Sequence, residues 1–278
     1  MRRLAFTMIE LVFVIVVMGI LGKFGTEMLA NVYQNFLHTS LQNRLEGQTE
    51  AVITQIAARL QYRIKDSVAT TTGAGTTLRW VGYDIEGWRG NWNGSMNTPT
   101  WSGFIDLQPN NYLISPKSNT ARMNTLINSL SYGDTNLSDA ALFFIGQEGD
   151  VNGSGWGAGA IPNQSFFAHP IKGSGGQNFA PSVGNFSGVD VFEYYQLAWT
   201  AYAVDFNQTS HELRLFYDYQ PWNGDTEADA KSSLLMEDVE SFSFQTIGSL
   251  IKVQVCINDS NISSLSEEYA VCKEKTIF

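Results

Sequence analysis

The chain has 278 residues, of which 44% are hydrophobic and 13% aromatic, and its formal net charge at pH 7 is -10. This length allows one large domain or two small ones, each with a hydrophobic core. Because a nucleic-acid-binding protein needs a basic surface, the acidic charge argues against nucleic acid as a partner.

The N-terminal residues combine a basic head with an uncharged run, which extends from Leu11 to Gly22 and ends at Lys23. A helix that crosses a bilayer needs ~17–25 apolar residues, so we predict that residues 6–28 form the transmembrane part of a helix. Positively charged residues beside such a segment stay in the cytoplasm. We therefore expect the head, with Arg2 and Arg3, on the cytoplasmic side and the rest of the chain on the other side.

Glu10 places a carboxylate one turn inside this apolar segment, where an ionisable group is costly and indicates a functional role. Together with Ala5, Phe6 and Thr7 it forms the string AFTMIE. This string, between a basic head and an apolar run, resembles the N terminus of type IV pilins and type II secretion pseudopilins. A simple signal anchor is the alternative interpretation.

The resemblance implies a leader peptide at residues 1–5. In the family, a prepilin peptidase in the membrane cleaves before the Phe and methylates the new N terminus. The corresponding events here are cleavage between Ala5 and Phe6 and methylation of Phe6. The family usually has Gly where this chain has Ala5. Since Ala is the smallest substitute, we expect cleavage to persist.

For Glu10 the resemblance implies a role in assembly. A buried carboxylate without a partner prefers to be protonated, and a neighbouring amine offsets that preference. The amine of an incoming subunit's first residue would supply this partner and set the register of a filament. The alternatives are that Glu10 pairs with the amine of its own chain or stays near the lipid headgroups. The implied partners are other pilin or pseudopilin subunits, the prepilin peptidase, the inner-membrane assembly platform and membrane lipid.

Beyond Lys23, apolar residues recur at three- and four-residue steps as far as Ile64, and no proline occurs up to Ser67. One apolar stripe on an otherwise polar helix is typical of a helix that lies against a sheet. The pattern predicts a single helix from Phe6 to about Ser67, ~90 Å long at 1.5 Å per residue. Residues 29–67 would form its scaffold half.

Residues 68–278 are predicted to form an extracytoplasmic, β-rich domain. Apolar runs at Leu78–Ile85 and Ala141–Gly146 indicate strands. Much of the rest of residues 78–187, a region rich in Gly, Asn, Trp and Ser, is predicted to form long loops, notably residues 149–188.

The last third of the chain is more regular and predicts two β-hairpins. Gln196–Phe206 pairs with His211–Tyr219, and Val239–Gln245 pairs with Leu250–Ile257. The second hairpin, within LLMEDVESFSFQTIGSLIKVQVCI, is similar to the final sheet of large minor pilins of the W and J types. The expected fold is therefore α+β and pilin-like, with a long N-terminal helix packed on an antiparallel β-sheet domain.

Cys256 and Cys272 both follow the apolar segment. Outside the cytoplasm two thiols are expected to form a disulfide, which would stabilise the domain by ~3 kcal/mol in the chain-entropy model. A disulfide near the C terminus is also common in pilins. Two buried free thiols are the alternative. The histidines show no ligand spacing relative to the cysteines, which argues against a metal site.

Asp150, Asn152 and Ser154 occupy alternate positions and a glycine follows, as in the first half of an EF-hand calcium loop. Their oxygens are candidate ligands for a structural Ca²⁺. Ile161 stands where that loop needs a bidentate Glu, so Glu148 or another carboxylate would complete the ligand set. An ordinary Asx turn is the alternative, and no other cofactor is expected.

Four Asp-x-Asn-x-Ser/Thr runs resemble the acceptor of bacterial oligosaccharyltransferases. Their asparagines are candidate glycosylation sites if each lies on an exposed loop outside the cytoplasm: Asn136, Asn152, Asn207 and Asn261. Such runs also arise by chance in a chain rich in Asn and Asp. A glycan and a calcium ion could not both use Asn152.

The sequence shows no nucleophile beside a base, no phosphate-binding glycine loop before a helix and no metal-ligand cluster. We therefore expect that the chain is not an enzyme.

Tryptophans in the loops raise the alternative that the domain is an adhesive or ligand-binding module displayed on a pilin stalk: Trp80, Trp88, Trp92, Trp101 and Trp156. Packing of these rings in the core is the other interpretation.

Together these features favour a minor pilin-like subunit that initiates or caps a type IV pilus-like filament, because a large, loop-rich domain is hard to repeat along a shaft. Within the family, the alternative is a type II secretion pseudopilin that helps to push cargo across the outer membrane. We expect a single-pass inner-membrane protein with a cytoplasmic N terminus before processing. After assembly it would be periplasmic or extracellular.

Overall fold

The computed structural model describes residues 7–72, 75–92, 97–107, 112–157, 159–258 and 270–278. The chain divides into two compact units, Met1–Gln48 and Thr49–Phe278. A long helix, α1 (Met8–Leu60), begins in the first unit and ends in the second. The second unit also contains antiparallel β-sheets. The expected α+β class, a long N-terminal helix followed by an antiparallel β domain, is confirmed.

The last turns of α1 belong to the β domain. Ile53, Ile56 and Leu60 are buried there with at most 1% of their surface exposed. Their spacing of three and four residues puts them on one face of the helix, which is the pattern of a helix covered on one side.

The helix ends at Leu60, earlier than the predicted Ser67. Ile64 continues the apolar period and is buried, but its backbone N–H donates to the carbonyl of Val81 at 2.8 Å. Arg63 likewise forms an isolated β-bridge with Gly82. Residues after Leu60 are therefore paired with a strand, and the apolar period continues because that segment is also buried.

The strands of the second unit are mostly short, and one is exceptionally long. In chain order they are β1 (Ala69–Thr72), β2 (Gly75–Tyr83), β3 (Asn91–Trp92), β4 (Asn97–Thr98), β5 (Leu113–Ile114), β6 (Ala141–Phe144), β7 (His169–Gly173), β8 (Asn178–Pro181), β9 (Tyr195–Asn207), β10 (Glu212–Tyr219), β11 (Lys231–Met236), β12 (Val239–Ile247), β13 (Leu250–Asn258) and β14 (Ala270–Ile277). Two α-helices of the described residues, α2 (Ile85–Arg89) and α3 (Thr120–Leu130), lie between them.

Strand β9 is the centre of the larger sheet. Within the described residues this sheet has nine strands in the order β1-β2-β9-β6-β7-β8-β5, with β10 beside β9 and β11 beside β10. β2 pairs along one edge of β9, and β6 and then β10 pair along the other edge, so that Ala198 lies opposite both Tyr83 and Ala141. The predicted hairpin of β9 and β10 is confirmed.

The larger sheet is covered on both faces near β6. Phe143 packs with Tyr219 and Trp222 in one hydrophobic cluster. Leu142 and Phe144 belong to a second cluster, which includes residues of α3. Because adjacent side chains of a strand point to opposite faces, a strand covered on both sides has the uninterrupted apolar sequence that β6 shows.

The second sheet is three-stranded in the order β12-β13-β14 among the described residues. Its first two strands form the second predicted hairpin. Cys256 on β13 lies directly opposite Cys272 on β14, and the two form a disulfide. The predicted disulfide is therefore confirmed.

Regular elements also occur where the sequence predicts loops. Strands β7 and β8 lie within residues 149–188 and bury Ile171 and Phe179. Helix α3 begins after Asn119, whose side chain accepts the N–H of Arg122 at 3.0 Å. Hydrophobic periodicity does not reveal these short elements, because each has only a few apolar residues and lies among polar residues and glycines.

Candidate functional site

Helix α1 carries the N-terminal candidate site. Among the described residues it is the helix that is long and apolar enough, by length and composition, to span a membrane. Apart from half-buried Val17, the large apolar side chains of its first turns are exposed: Met8, Ile9, Leu11, Val12, Phe13, Val14, Ile15, Val16, Met18, Ile20 and Leu21. A helix that is hydrophobic all round requires an apolar environment on all sides.

Glu10 is hydrogen-bonded to Thr7 at the start of α1. Its Oε2 accepts the backbone N–H of Thr7 at 3.1 Å and the hydroxyl of Thr7 at 3.0 Å. In return, the N–H of Glu10 donates to the carbonyl of Thr7 at 3.1 Å. The carboxylate thus satisfies a donor that the first helical turn would leave unpaired.

Thr7 is a hydrogen-bond partner of Glu10 to which the sequence analysis assigns no separate role. The available signal is the spacing Thr-x-x-Glu before an apolar run, which is typical of a capping box. The partners of Glu10 in the described residues are neutral groups, so its charge has no cationic partner there. The cleavage and methylation residues Ala5 and Phe6 lie outside the described residues.

The three predicted calcium ligands are divided between the surface and the interior of the domain. Asp150 and Asn152 are exposed, and Oδ1 of Asp150 accepts the N–H of Asn152 at 3.0 Å, which is an Asx turn. Ser154 is buried, and Ile161 packs in the core. In the described ranges no three His, Cys, Asp or Glu side chains come together as a metal site. Calcium binding stays a prediction.

The predicted glycosylation sites differ in accessibility. Asn152 and Asn207 are exposed, whereas Asn136 is half-buried. The side chain of Asn136 caps a short 3₁₀ turn by accepting the N–H of Ser138 at 2.8 Å. Asn261 lies outside the described residues. Glycosylation therefore stays a prediction, and exposure favours Asn152 and Asn207 over Asn136.

Of the five predicted loop tryptophans, two lie in the core and a third is half-buried. Trp80 and Trp101 are buried, and half-buried Trp156 donates its indole N–H to a backbone carbonyl at 2.8 Å. Trp88 is 45% exposed, with its ring centroid 4.9 Å from that of Trp101. The side chain of Trp92 lies outside the described side chains. Packing thus accounts for Trp80, Trp101 and Trp156.

Comparison of this chain with models of protein families, with curated proteins and with solved structures gave no match.

Proposed function

We propose that the chain is a minor pilin-like subunit, which prepilin peptidase processes and which initiates or caps a type IV pilus-like filament. The observation that carries the proposal is the exposed apolar segment of α1 from Met8 to Gly22, in which Glu10 is the one charged side chain. The α+β architecture is compatible with that of pilins. The string AFTMIE at the head of the helix supplies the family signal.

The exposed apolar segment of α1 needs an apolar environment both before and after assembly of the subunit into a filament. Each Leu, Val, Ile or Phe side chain left in water costs about 1.5–3 kcal/mol relative to burial. Lipid covers the helix of a subunit stored in the membrane. In a filament, the helices of neighbouring subunits provide the same cover. Contacts of this head-to-tail kind do not close on themselves and therefore propagate.

The charge of Glu10 would determine where an incoming subunit docks on the filament. Its hydrogen bonds to Thr7 cap the helix but leave the negative charge without a cation among the described residues. Cleavage before Phe6 would create an amine close to this carboxylate in every subunit. An incoming amine that reaches Glu10 of a resident subunit forms a charge-assisted hydrogen bond in a medium of low dielectric constant. That bond would fix the axial position of the new subunit.

The size of the β domain supports a place at the end of a filament. Among the described residues after 68, long stretches contain no α-helix or strand, such as those between β6 and β7 and between β8 and β9. Such a domain must be accommodated once at a tip, whereas on a shaft it must be accommodated at every repeat.

Intact mass of the chain recovered from membranes tests the processing step. The expected result is a protein that lacks Met1–Ala5 and carries one added methyl group in cells with the peptidase. Peptidase-null cells should yield the uncleaved, unmethylated chain. An uncleaved chain in both strains would contradict the proposal and leave a membrane-anchored domain.

Two substitutions at Glu10 separate its charge from its capping role. Gln can accept the same N–H in a capping box, but it cannot neutralise an amine. We therefore expect both Glu10→Gln and Glu10→Ala to be processed normally and to abolish filament formation, as judged by electron microscopy and by recovery of sheared filaments. If Glu10→Gln forms filaments as well as the wild type, the charge-pairing role is wrong and capping is sufficient.

A further inference from the structure

A cleft of about 330 Å³ opens between β9, β10, the start of β11 and the chain that follows α3. Four aromatic side chains line it: Tyr132, Trp199, Tyr202 and Tyr217. The volume lies at the lower end of the ~300–1,000 Å³ found for small-molecule sites, which are commonly lined by aromatic residues and a few polar groups. All of its lining residues belong to the second unit.

Three charged groups form the polar edge of the cleft. Nζ of Lys231 lies 2.6 Å from Oδ2 of Asp218 and 2.7 Å from Oδ2 of Asp134, and it donates to the carbonyl of Ser131 at 2.7 Å. An ammonium group has three donors, so all three are used within the protein. The side chain of Asp134 is 66% exposed, and its carboxylate therefore offers acceptor sites to a ligand.

Asp218 reaches the cleft because β10 contains a bulge. Tyr217 pairs with Tyr202 and Tyr219 pairs with Ala201, so Asp218 is the extra residue. It has a left-handed backbone with φ of 63°. A left-handed conformation costs a residue with a Cβ roughly 1–2 kcal/mol. Bulges redirect side chains and are common beside functional sites.

Tyr132 lies at the mouth of the cleft with an exposed ring and an unfavourable backbone conformation. Its side chain is 92% exposed, and its backbone is left-handed with φ of 59°. The turn is fixed by the N–H of Gly133, which donates to the carbonyl of Asn128 at 2.8 Å. The ring centroid lies 5.9 Å from Nζ of Lys231. An exposed aromatic ring on a strained backbone gives little stability in return, and such strain is concentrated at binding sites.

Tyr202, another lining residue of the cleft, is packed closely against β2. The ring of Tyr202 stacks on buried Trp80 with centroids 5.7 Å apart. It also covers Gly82, where an added Cβ would lie 2.7 Å from Cε2 of Tyr202. A glycine at this position therefore leaves room for the Tyr202 ring against β2.

We propose that this cleft binds a saccharide, with an apolar face of a sugar ring against Tyr132 and with sugar hydroxyls that donate to Asp134. The charges decide between classes of ligand. The three charged groups sum to -1, which disfavours an anion. Lys231 already occupies the cation position beside the carboxylates and over the Tyr132 ring, which disfavours an organic cation. A neutral, hydroxyl-rich molecule with an apolar face matches the surfaces that remain. This inference does not depend on filament assembly.

Calorimetric titration of the full chain tests the proposal. The protein is purified in a polyoxyethylene detergent, which carries no sugar, and is titrated with methyl glycosides of glucose, galactose, mannose and N-acetylglucosamine. Choline serves as the cationic probe. We expect at least one glycoside to bind with a Kd of ~1 mM or lower. Tyr132→Ala should weaken that binding by about tenfold or more, and Asp134→Asn should weaken it as well.

Tyr194→Ala is the matched control, because Tyr194 is an exposed tyrosine, 53% accessible, outside the cleft. It should bind the glycoside as the wild type does. The near-complete exposure of Tyr132 means that its truncation leaves the core intact. The proposal is wrong if no glycoside binds up to about 20 mM, far above a Kd of ~1 mM. It is also wrong if only choline binds, or if Tyr132→Ala binds as tightly as Tyr194→Ala.

Discussion

The indole N–H of Trp101 donates to Oδ2 of Asp84 at 3.1 Å, in the core of the larger sheet. Oδ1 of the same carboxylate accepts the indole N–H of Trp199 at 3.3 Å and caps α2 by accepting the N–H of Gly87 at 3.0 Å. Burial raises the pKa of Asp84, and these three donors oppose that rise because they favour the charged form.

Replacement of Asp84 should therefore destabilise the domain strongly. Asp84→Ala removes the acceptor of the Gly87 N–H and of the Trp199 indole, at about 1–3 kcal/mol for each buried donor, and leaves the Trp101 indole only the Asp84 backbone carbonyl at 3.3 Å. Asp84→Asn keeps the size but turns an N–H₂ group towards a donor, so we expect a smaller loss of about 1–2 kcal/mol. Urea unfolding followed by tryptophan fluorescence measures both. Glu86→Ala, at an exposed neighbour, is the control, and an equal loss in all three variants would refute this account.

Removal of the disulfide should lower the free energy of unfolding. Cys256 and Cys272 are separated by 16 positions, and a loop of this size gives ~3 kcal/mol in the chain-entropy model. The double substitution Cys256→Ser with Cys272→Ser should lose about this amount in urea unfolding, and the wild type in reductant should behave in the same way. An unchanged midpoint would show that the strand pairing of β13 and β14 suffices without the bond.

Substitution by alanine should have different effects at two nearby glycines. Both have left-handed backbones, with φ of 96° at Gly155 and 71° at Gly157. A Cβ on Gly155 would lie 2.4 Å from the carbonyl carbon of Pro221, whereas a Cβ on Gly157 meets nothing within 4 Å. Gly157→Ala should therefore cost only the ~1–2 kcal/mol of the backbone conformation. Gly155→Ala should cost clearly more, and similar thermal midpoints for the two variants would contradict the packing shown here.

His169 should make the domain sensitive to acid. It is fully buried, and burial lowers its pKa from 6.5 to about 4. Between these values the unfolded chain binds a proton that the folded chain does not, so stability rises with pH across this window and falls on acidification. Through His169 alone, the free energy of unfolding should fall by about 3 kcal/mol between pH 7 and pH 4.

The comparison variant for this prediction is His211→Gln, at an exposed histidine. Urea unfolding at several pH values should show a shallower loss of stability in His169→Gln than in the wild type, and no such change in His211→Gln. Parallel pH profiles for all three proteins would show that His169 does not contribute to the acid response.

Sequence periodicity predicted the long elements well and the short ones poorly. The hairpin of β9 and β10 and that of β12 and β13 were visible because each strand alternates over many residues. The end of α1 was not, since Ile64 keeps the apolar period after the backbone has left the helix. Helix α3 has a visible cap at Asn119, but it lies in a region whose composition indicates loops.

The two candidate sites differ in how far a sequence can predict them. Glu10 and Thr7 are neighbours along one helical turn, so their relationship can be read from spacing. The cleft around Lys231 joins residues from α3, β9, β10 and β11. Its geometry depends on a bulge at Asp218 and on a left-handed Tyr132, and neither feature has a reliable sequence signal for a residue other than glycine.

The central position of β9 has a consequence for biosynthesis. Val81 on β2 pairs with Ala201 on β9, so β2 leaves the ribosome well before its main partner exists. At ~5–20 residues per second this delay is on the order of ten seconds. During that time one edge of β2 presents free N–H and C=O groups that can pair with another nascent chain. Yield in a heterologous host should therefore depend on chaperones that hold the early half of the domain until β9 has been translated.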